Sequence, residues 1–513
     1  LMWRSTIGGE TDESLFDRAA GLTQFAHMRG DRRLESTGTH GTHVADLCAG
    51  FDLSKSEYDE PRRRLPLIGV GLPPRSCIGA SGNFLEFFAI HAIDYILDRA
   101  DRIWEACGYG EGSFPVVINL SYGLQAGPKD GQMLIEKVIR LATQRAEQEN
   151  RVIRIVLPVG NDLLSEGAAE FDLIAGACQS FSWRLKPEDH TPNYAEVWSD
   201  VLDGPYPAGS PHPLTLTLTS PEGPAGPSGP GRGSQVATLT DSSDPTVPLA
   251  RIYCRATDDA PLSGPPPTSH RLVYVVCTRP TLNAARNRLT PAGAWTLGLQ
   301  PTGKTAAKAW AYAQSDQSLT HGSQTGLVST FAHPDFTSHD EFGRLIDAYS
   351  YTTPPVQTDT TPPMRRLGTM NAIAHGNEAR VIGSFRTTDG KPSIFSSAAA
   401  PLVAGNGRVA PSALLPGEDG AARFGLLAAG SKSGSTVAMA GTSFSTALAT
   451  RRIALALLGW IDGGKLGTAP GDEAWFDATA TFEDASMHYP AATAPPKGGF
   501  GRMKAPDTGR IER

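Results

Sequence analysis

The sequence of 513 residues predicts an α/β fold with a parallel central sheet, interrupted by an inserted antiparallel β-sandwich. Near the start, short apolar runs alternate with amphipathic helical segments, and this alternation returns after about residue 365. Such an alternation is typical of a parallel α/β sheet. Between the two parts lie short stretches of alternating polar and apolar residues, separated by proline and glycine. That pattern favours an antiparallel sandwich.

Two helices and two strands are predicted in the first part of the chain. The helices show apolar residues at the 3.6-residue period, and the strands are short continuous apolar runs of the kind buried in parallel sheets. In chain order they are a helix over residues 84 to 104, a strand over 115 to 123, a helix over 131 to 149 and a strand over 151 to 161.

The middle of the chain predicts five strands by alternation, at residues 214 to 219, 250 to 257, 271 to 278, 294 to 300 and 309 to 314. Beyond them we predict strands over 371 to 374 and 379 to 385, a turn over 395 to 398 and a helix over 443 to 458. The predicted division is an α/β domain in two parts, an insert and a C-terminal extension, with bounds 1 to 185, 186 to 335, 336 to 465 and 466 to 513.

The net charge excludes some classes of partner. The chain has 46 basic and 53 acidic residues, a net charge of −7. This modest negative value gives no reason to expect nucleic acid or an anionic membrane as a partner. No stretch approaches the ~18 uninterrupted apolar residues of a membrane-spanning helix.

The six cysteines do not form a disulfide framework in a chain of this length. Four are expected to be buried free thiols because their neighbours are apolar or small: Cys48, Cys77, Cys107 and Cys178. Cys254 and Cys277 lie in consecutive strand-like runs, and a bridge between them stays open. With no signal peptide visible in this segment, few free cysteines favour a cytoplasmic location.

The segment G-T-S-F-S-T-A, residues 441 to 447, runs directly into an apolar helical pattern. Taken alone, Ser443 is a typical helix N-cap. A serine at a helix start can also project its hydroxyl, while its N–H group and the helix dipole favour a developing oxyanion. Ser443 is therefore a candidate nucleophile.

A candidate base and a candidate oxyanion donor accompany it. His40 opens the helical segment H-G-T-H-V-A, where the alternatives are a structural histidine or a metal ion shared with His43. No further cluster of ligands has suitable spacing, so no metal is predicted. Asn161 ends P-V-G-N after a buried strand, which places it at the carboxyl edge of the sheet, although an asparagine before Asp162 also suits a turn.

These motifs together resemble the subtilase family of serine proteases. H-G-T-H-V-A, P-V-G-N and G-T-S-F-S-T-A appear in the family order, and I-F-S-S-A is similar to a family turn. The matching residues cover about 40 to 180 and 365 to 460. Asp46 replaces a family glycine and Ala447 replaces a family proline. The resemblance implies a three-layer subtilisin-like fold and endopeptidase activity on a protein or peptide substrate.

The resemblance also implies roles for individual residues. Ser443 would be the nucleophile, His40 the base and Asn161 an oxyanion donor. V-I-N-L-S-Y-G resembles the family's substrate-binding strand, which implies that Ser121, Tyr122 and Gly123 pair with the peptide backbone. No cofactor is expected. A structural calcium ion is common in the family, but no acidic loop assigns a site for one.

The carboxylate that should orient the histidine is not evident. Asp12, Asp17 and Asp31 precede His40, and none of them follows a buried apolar strand. We therefore expect the triad aspartate to come from an upstream segment or a separate chain. The alternatives are a catalytic dyad, or a catalytically inactive scaffold that binds a protein partner.

Overall fold

The computed structural model describes most of the chain from His40 to Asp462 and two short segments beyond it. The described residues are 40–51, 56, 61–72, 85–200, 202–203, 214–223, 225–228, 236–258, 269–282, 288–302, 307–315, 326–339, 341–342, 362–399, 411–420, 425–430, 435–462, 482–483 and 502–503.

Four α-helices and one short 3₁₀-helix (Pro61–Arg64) are present in these ranges. The α-helices are α1 (His40–Ala49), α2 (Leu85–Ala106), α3 (Leu134–Gln148) and α4 (Thr442–Asp462). Twenty strands accompany them: β1 Val116–Asn119, β2 Ile153–Pro158, β3 Ala168–Leu173, β4 Gln179–Leu185, β5 Asn193–Ser199, β6 Leu202–Asp203, β7 Leu214–Thr219, β8 Ala225–Ser228, β9 Val236–Thr240, β10 Pro248–Asp258, β11 Ser269–Thr278, β12 Gly293–Pro301, β13 Ala307–Ser315, β14 Thr330–Ala332, β15 Arg380–Arg386, β16 Ala413–Glu418, β17 Leu426–Ala429, β18 Thr436–Met439, β19 Phe482–Glu483 and β20 Arg502–Met503.

One sheet of six strands carries the parallel pairings, in the order β1-β2-β15-β16-β20-β19. The first four strands run parallel, in a register that aligns Val116 with Ile153. Helices α2 and α3 cover one face, where Ile93 and Ile135 join the core. Helix α4 covers the other face, where Ile453 packs with the same sheet. Burial on both faces explains why these strands are continuous apolar runs.

Two antiparallel sheets form the largest part of the described structure. One has the order β3-β13-β5-β11-β10-β9, with β6 paired to β11, and the other has the order β14-β4-β12-β7-β8. A single core contains side chains of both sheets, including Trp183, Trp295 and Tyr274. The run L-T-L-T-L-T in β7 buries its leucines and leaves its threonines half-buried, as alternation predicts.

The predicted fold class, a three-layer subtilisin-like α/β fold with a parallel central sheet, is wrong for this chain. The described structure is rich in strands, which form four sheets, and only four of them make the parallel core. The antiparallel sheets already begin with β3 and β4, before residue 186. The apolar helices and strands before residue 160 and after residue 380 gave the clearest sequence pattern and suggested a mainly parallel fold. Most of the strands, β3 to β14, lie between these two regions and are antiparallel. The division into domains itself stays a prediction.

Several local predictions also need correction. Residues 371 to 374 form buried turns instead of a strand, because the side chain of Asn371 bonds to neighbouring backbone groups. Cys107 and Cys178 are exposed, although Cys48 is buried as expected. Cys254 and Cys277 form no disulfide and lie opposite Tyr274 and Arg251 in the β10–β11 pair. Cys77 lies outside the described residues. In the described part of the chain, no helix is long and apolar enough to cross a membrane.

Candidate active site

Two helix N-termini meet at the candidate site. His40 is the first residue of α1, and Ser443 is the second residue of α4. The ring of Phe444 lies 5.6 Å from the His40 ring and 4.7 Å from the His43 ring, measured between centroids. Val44 joins Phe444 in one apolar cluster that docks α1 on α4. The predicted base therefore lies beside the segment that carries the predicted nucleophile.

The environment of His40 favours its neutral form. Its side chain reaches solvent, but the packed surroundings desolvate the ring and, with the nearby His43, lower the pKa of His40 below its usual value. A neutral imidazole can accept a proton at neutral pH. No carboxylate of the described residues contributes to this shift in the pKa of His40. His43 is fully buried against Phe444, which suits a structural role.

Hydrogen bonds through its main chain fix the position of Ser443. The hydroxyl of Ser121 donates to the carbonyl oxygen of Ser443 at 3.0 Å and accepts from Asn119 Nδ2 at 2.9 Å. The Thr450 hydroxyl on α4 donates to Asn119 Oδ1 at 3.1 Å, which completes the connection between β1 and α4. Among the described residues, the Ser443 hydroxyl and N–H have no hydrogen-bond partner within the protein. Both groups are therefore available to a ligand at the start of the helix dipole.

The side chain of Asn161 is oriented by the residue before the serine. Asn161 Oδ1 accepts from the Thr442 N–H at 2.9 Å and from the Thr442 hydroxyl at 3.0 Å. With its oxygen held in this way, the exposed amide turns Nδ2 toward the helix start. This nitrogen lies 3.6 Å from the position that a Cβ on Gly441 would occupy. The arrangement leaves an amide donor near Gly441, two residues before Ser443, and an amide donor is one kind of group that an oxyanion site uses.

The backbone around Asn161 is also held in place. Gly160 has a φ of +103°, which a residue with a side chain rarely adopts. The N–H of Asp162 donates to the Ser397 hydroxyl at 2.8 Å. On the other side of Asp162, Gln125 Nε2 donates to its carboxylate, and burial raises the pKa of Asp162. These contacts fix the turn that presents Asn161.

Residues 121 to 123 follow the end of β1, and the Tyr122 N–H donates to the Leu120 carbonyl at 2.9 Å, which turns the chain at Ser121. The Tyr122 carbonyl accepts from Asn371 Nδ2 at 3.0 Å, and the Leu124 N–H donates to Asn371 Oδ1 at 3.0 Å. In contrast, the backbone groups of Ser121 and Gly123 have no hydrogen-bond partner among the described residues. Backbone groups that have no partner in the protein can pair with an extended peptide.

The structure thus brings together all three predicted catalytic residues and the predicted substrate-binding segment. Sequence reasoning missed Thr442 and Asn371, which orient them. Thr442 lies inside the G-T-S motif, whereas Asn371 sits in an apolar stretch that resembled a strand. Among the described residues, no group of three or more His, Cys, Asp or Glu side chains could hold a metal ion. The absence of a metal or other cofactor stays a prediction.

No family model matches the chain, and no curated protein matches it. Among solved structures, it is similar to the CspB protease of Clostridium perfringens, with a TM-score of 0.52 and 14% sequence identity. That similarity covers 82% of this chain and 68% of CspB. A second structure, the prenylagaramide maturation protease PagA, has a TM-score of 0.20 and 22% identity, over 26% of this chain and 42% of PagA.

These comparisons correct the family assignment. The motifs resemble those of subtilases, but no family model matches the chain, so its predicted membership in that family is withdrawn. The similarity to CspB, at 14% identity, shows a shared fold alone. The fold of this protein is therefore one that a protease also adopts.

Proposed function

We propose that the protein is a serine peptidase that hydrolyses peptide bonds with Ser443 as its nucleophile. The orientation of Asn161 carries this proposal, because Thr442 fixes the amide oxygen and leaves the amide nitrogen near Gly441, two residues before the serine. The similarity to a protease supports a peptidase or hydrolase function in general. The particular residues and their roles are our inference from the geometry.

The proposed reaction uses each group at a defined step. An extended peptide pairs with the free backbone groups of Ser121 and Gly123, beside Tyr122, which brings its scissile carbonyl to the start of α4. His40 takes the proton of the Ser443 hydroxyl as the oxygen attacks the carbonyl carbon.

The resulting oxyanion accepts hydrogen bonds from Asn161 Nδ2 and from the N–H of Ser443, in the positive end of the helix dipole. His40 then returns the proton to the leaving amine. Water, activated in the same way by His40, releases the acyl group and restores the Ser443 hydroxyl. In each half of the reaction the imidazole accepts one proton and then gives it up, to the leaving amine in the first half and to the Ser443 oxygen in the second.

The histidine still requires a partner that stabilises its charged form. None of the described carboxylates perturbs the pKa of His40. We therefore propose that an aspartate from an upstream segment or a separate chain completes the triad. A faster reaction with a serine-directed probe, when a longer form of the protein or the separate chain is present, would support this proposal. An unchanged rate would favour a dyad.

A fluorophosphonate probe tests the nucleophile directly. The intact protein is incubated with the probe, and the modified residue is mapped by mass spectrometry beside Ser443→Ala and Ser445→Ala variants. Ser445 is a matched control because its buried hydroxyl donates to the carbonyl of Pro416 at 3.0 Å and is not free. Labelling that persists in Ser443→Ala, or no labelling of the intact protein, would rule out the proposal.

A second candidate function is a catalytically inactive scaffold that binds a protein partner. The observation that favours it is that no carboxylate of the described residues contributes to the pKa shift of His40. A scaffold of this kind would bind an extended peptide at residues 121 to 123 without labelling Ser443. Peptide binding by calorimetry, together with the probe experiment, separates the two functions.

A further inference from the structure

The side chain of Asn371 lies between residues 121 to 124 and the end of β2, which we call the two walls of the proposed substrate cleft, the first being the substrate wall. Its Nδ2 donates to the carbonyl oxygens of Tyr122, at 3.0 Å, and Pro158, at 3.1 Å. Its Oδ1 accepts from the Leu124 N–H at 3.0 Å. The backbone N–H of Asn371 also donates to Val159 at 2.8 Å. One residue thus joins the substrate wall to the strand end that leads to the oxyanion donor.

These bonds are made inside the protein. Asn371 is only 1% exposed, and both amide hydrogens and the amide oxygen have partners. Leaving a buried polar group of this amide without its partner would cost about 1–3 kcal/mol of folding free energy for each group. The arrangement therefore resists movement. The separation between the two walls is therefore set by the dimensions of one planar amide.

Asn371 also determines which backbone groups remain free for a peptide. In an extended segment, successive groups point to opposite sides. Because the Tyr122 carbonyl and the Leu124 N–H both point toward Asn371, the backbone groups of Gly123 between them point away from it. The amide therefore fixes the register in which a peptide can pair with this segment.

Gly123 lies against the same amide. A Cβ on Gly123 would lie 2.7 Å from Cγ and Nδ2 of Asn371, which is closer than side-chain atoms can approach. The φ of Gly123 is outside the left-handed region, so the backbone itself does not require glycine. The close approach of Asn371 is the physical reason for a glycine here.

We infer that Asn371 is a positioning residue that holds the peptide-binding segment in register with the oxyanion donor. This inference rests on the proposed peptidase function. It extends that function by assigning the alignment of the two cleft walls to a residue that does not contact the substrate.

A double-mutant cycle tests the inference on the intact protein. The values of kcat and KM are measured for a tetrapeptide amide and for an ester of a single amino acid, with wild type, Asn371→Ala, Gly123→Ala and the double variant. We expect each single change to lower kcat/KM for the tetrapeptide by about 10-fold to 100-fold, because small displacements of aligned groups have effects of this size. The short ester does not pair along the segment, so its kcat/KM should fall by clearly less.

The decisive result is whether the effects of the two substitutions on kcat/KM are independent. The Cβ added by Gly123→Ala would act through the Asn371 amide. Adding Gly123→Ala to Asn371→Ala should therefore lower kcat/KM for the tetrapeptide by less than about a further threefold. Multiplicative losses would overturn the inference, as would equal losses for the tetrapeptide and the ester. If Asn371→Ala does not fold, Gly123→Ala alone decides by its effect on the two substrates, since Gly123 is exposed.

A matched control is Asn193→Ala. Asn193 is equally buried and donates to Asp189, but it lies in the antiparallel sheets. This change should lower stability while kcat and KM stay at wild-type values. Wild-type protein that does not label at Ser443 would overturn the proposed function. Wild-type protein that labels, with full tetrapeptide activity in folded Asn371→Ala, would overturn only the inference about Asn371.

Discussion

The orientation of Asn161 by Thr442 predicts a selective loss of catalytic rate in Thr442→Val. Valine has nearly the shape of threonine, so the change leaves no cavity at this fully buried position. It removes the hydroxyl bond to Asn161 Oδ1 at 3.0 Å and keeps the N–H bond at 2.9 Å. The amide then has one anchor in place of two.

The size of the effect follows from the bond that is lost. A neutral hydrogen bond contributes about 1 kcal/mol, and if this energy no longer aligns Nδ2 in the transition state, kcat falls by about fivefold. Complete removal of the donor by Asn161→Ala should lower kcat by about 10²–10³-fold, which is the upper limit for any loss of orientation. KM should change little in either variant, because the oxyanion forms only in the transition state.

Steady-state kinetics on a peptide substrate measures this difference, with two further variants as controls. Thr442→Ser retains the hydroxyl and should recover most of the rate. Thr446→Val removes a similar buried hydroxyl bond one turn later, to the Thr442 carbonyl at 2.8 Å, without touching Asn161. A kcat for Thr442→Val within experimental error of wild type, or equal losses in Thr442→Val and Thr446→Val, would refute the role assigned to Thr442.

Three further predictions concern backbone strain and pH. Gly160→Ala should lower both stability and kcat, because an alanine is strained at a φ of +103° and its Cβ would lie 3.0 Å from the Ser397 hydroxyl. Gly176→Ala is the control, since it has a similar φ of +78° but open space around it, and it should lower stability alone. Unfolding and kinetic assays on both variants measure the difference. Burial raises the pKa of Glu136 to about 7, so the folded protein holds the extra proton and loses about 3 kcal/mol of unfolding free energy as the pH rises from 4.5 to 7. Urea titrations should show this loss in the exposed-site control Glu147→Gln but not in Glu136→Gln. Burial lowers the pKa of Lys129 to about 7, so above this pH the unfolded protein binds one more proton than the folded protein. The free energy of unfolding should therefore rise by between about 2 and 3 kcal/mol from pH 7 to 9. A similar rise in Lys129→Met would contradict this assignment.

The sequence predicted individual elements better than their proportions. Apolar periodicity located α2, α3 and β2 within a few residues, because burial against a sheet imposes a period that can be read directly. It did not show that antiparallel strands would outnumber the parallel ones, since each alternating run is short and its partners lie far along the chain. Strand pairing depends on contacts between distant residues, which local pattern does not contain.

The candidate site shows the same division. His40, Asn161 and Ser443 could be predicted because each stands in a short segment at the end of a helix or strand. Asn371 could not, because its role depends on Tyr122, which is 249 positions away. An asparagine in an apolar stretch has no local signal that distinguishes a bridging amide from a turn residue.

The support of the site by buried amides and hydroxyls has a consequence for its rigidity. Ser121 and Asn119 connect the proposed nucleophile Ser443 to β1, Thr442 holds Asn161, and Asn371 joins the two walls. These bonds join segments that are more than 200 residues apart, so they form only when the parallel core is complete. In a low-dielectric interior such bonds are mutually reinforcing, and each one left unmade is costly. The geometry of the candidate site should therefore be lost together with the fold of the core, in a single cooperative step, and not by gradual loosening of one loop.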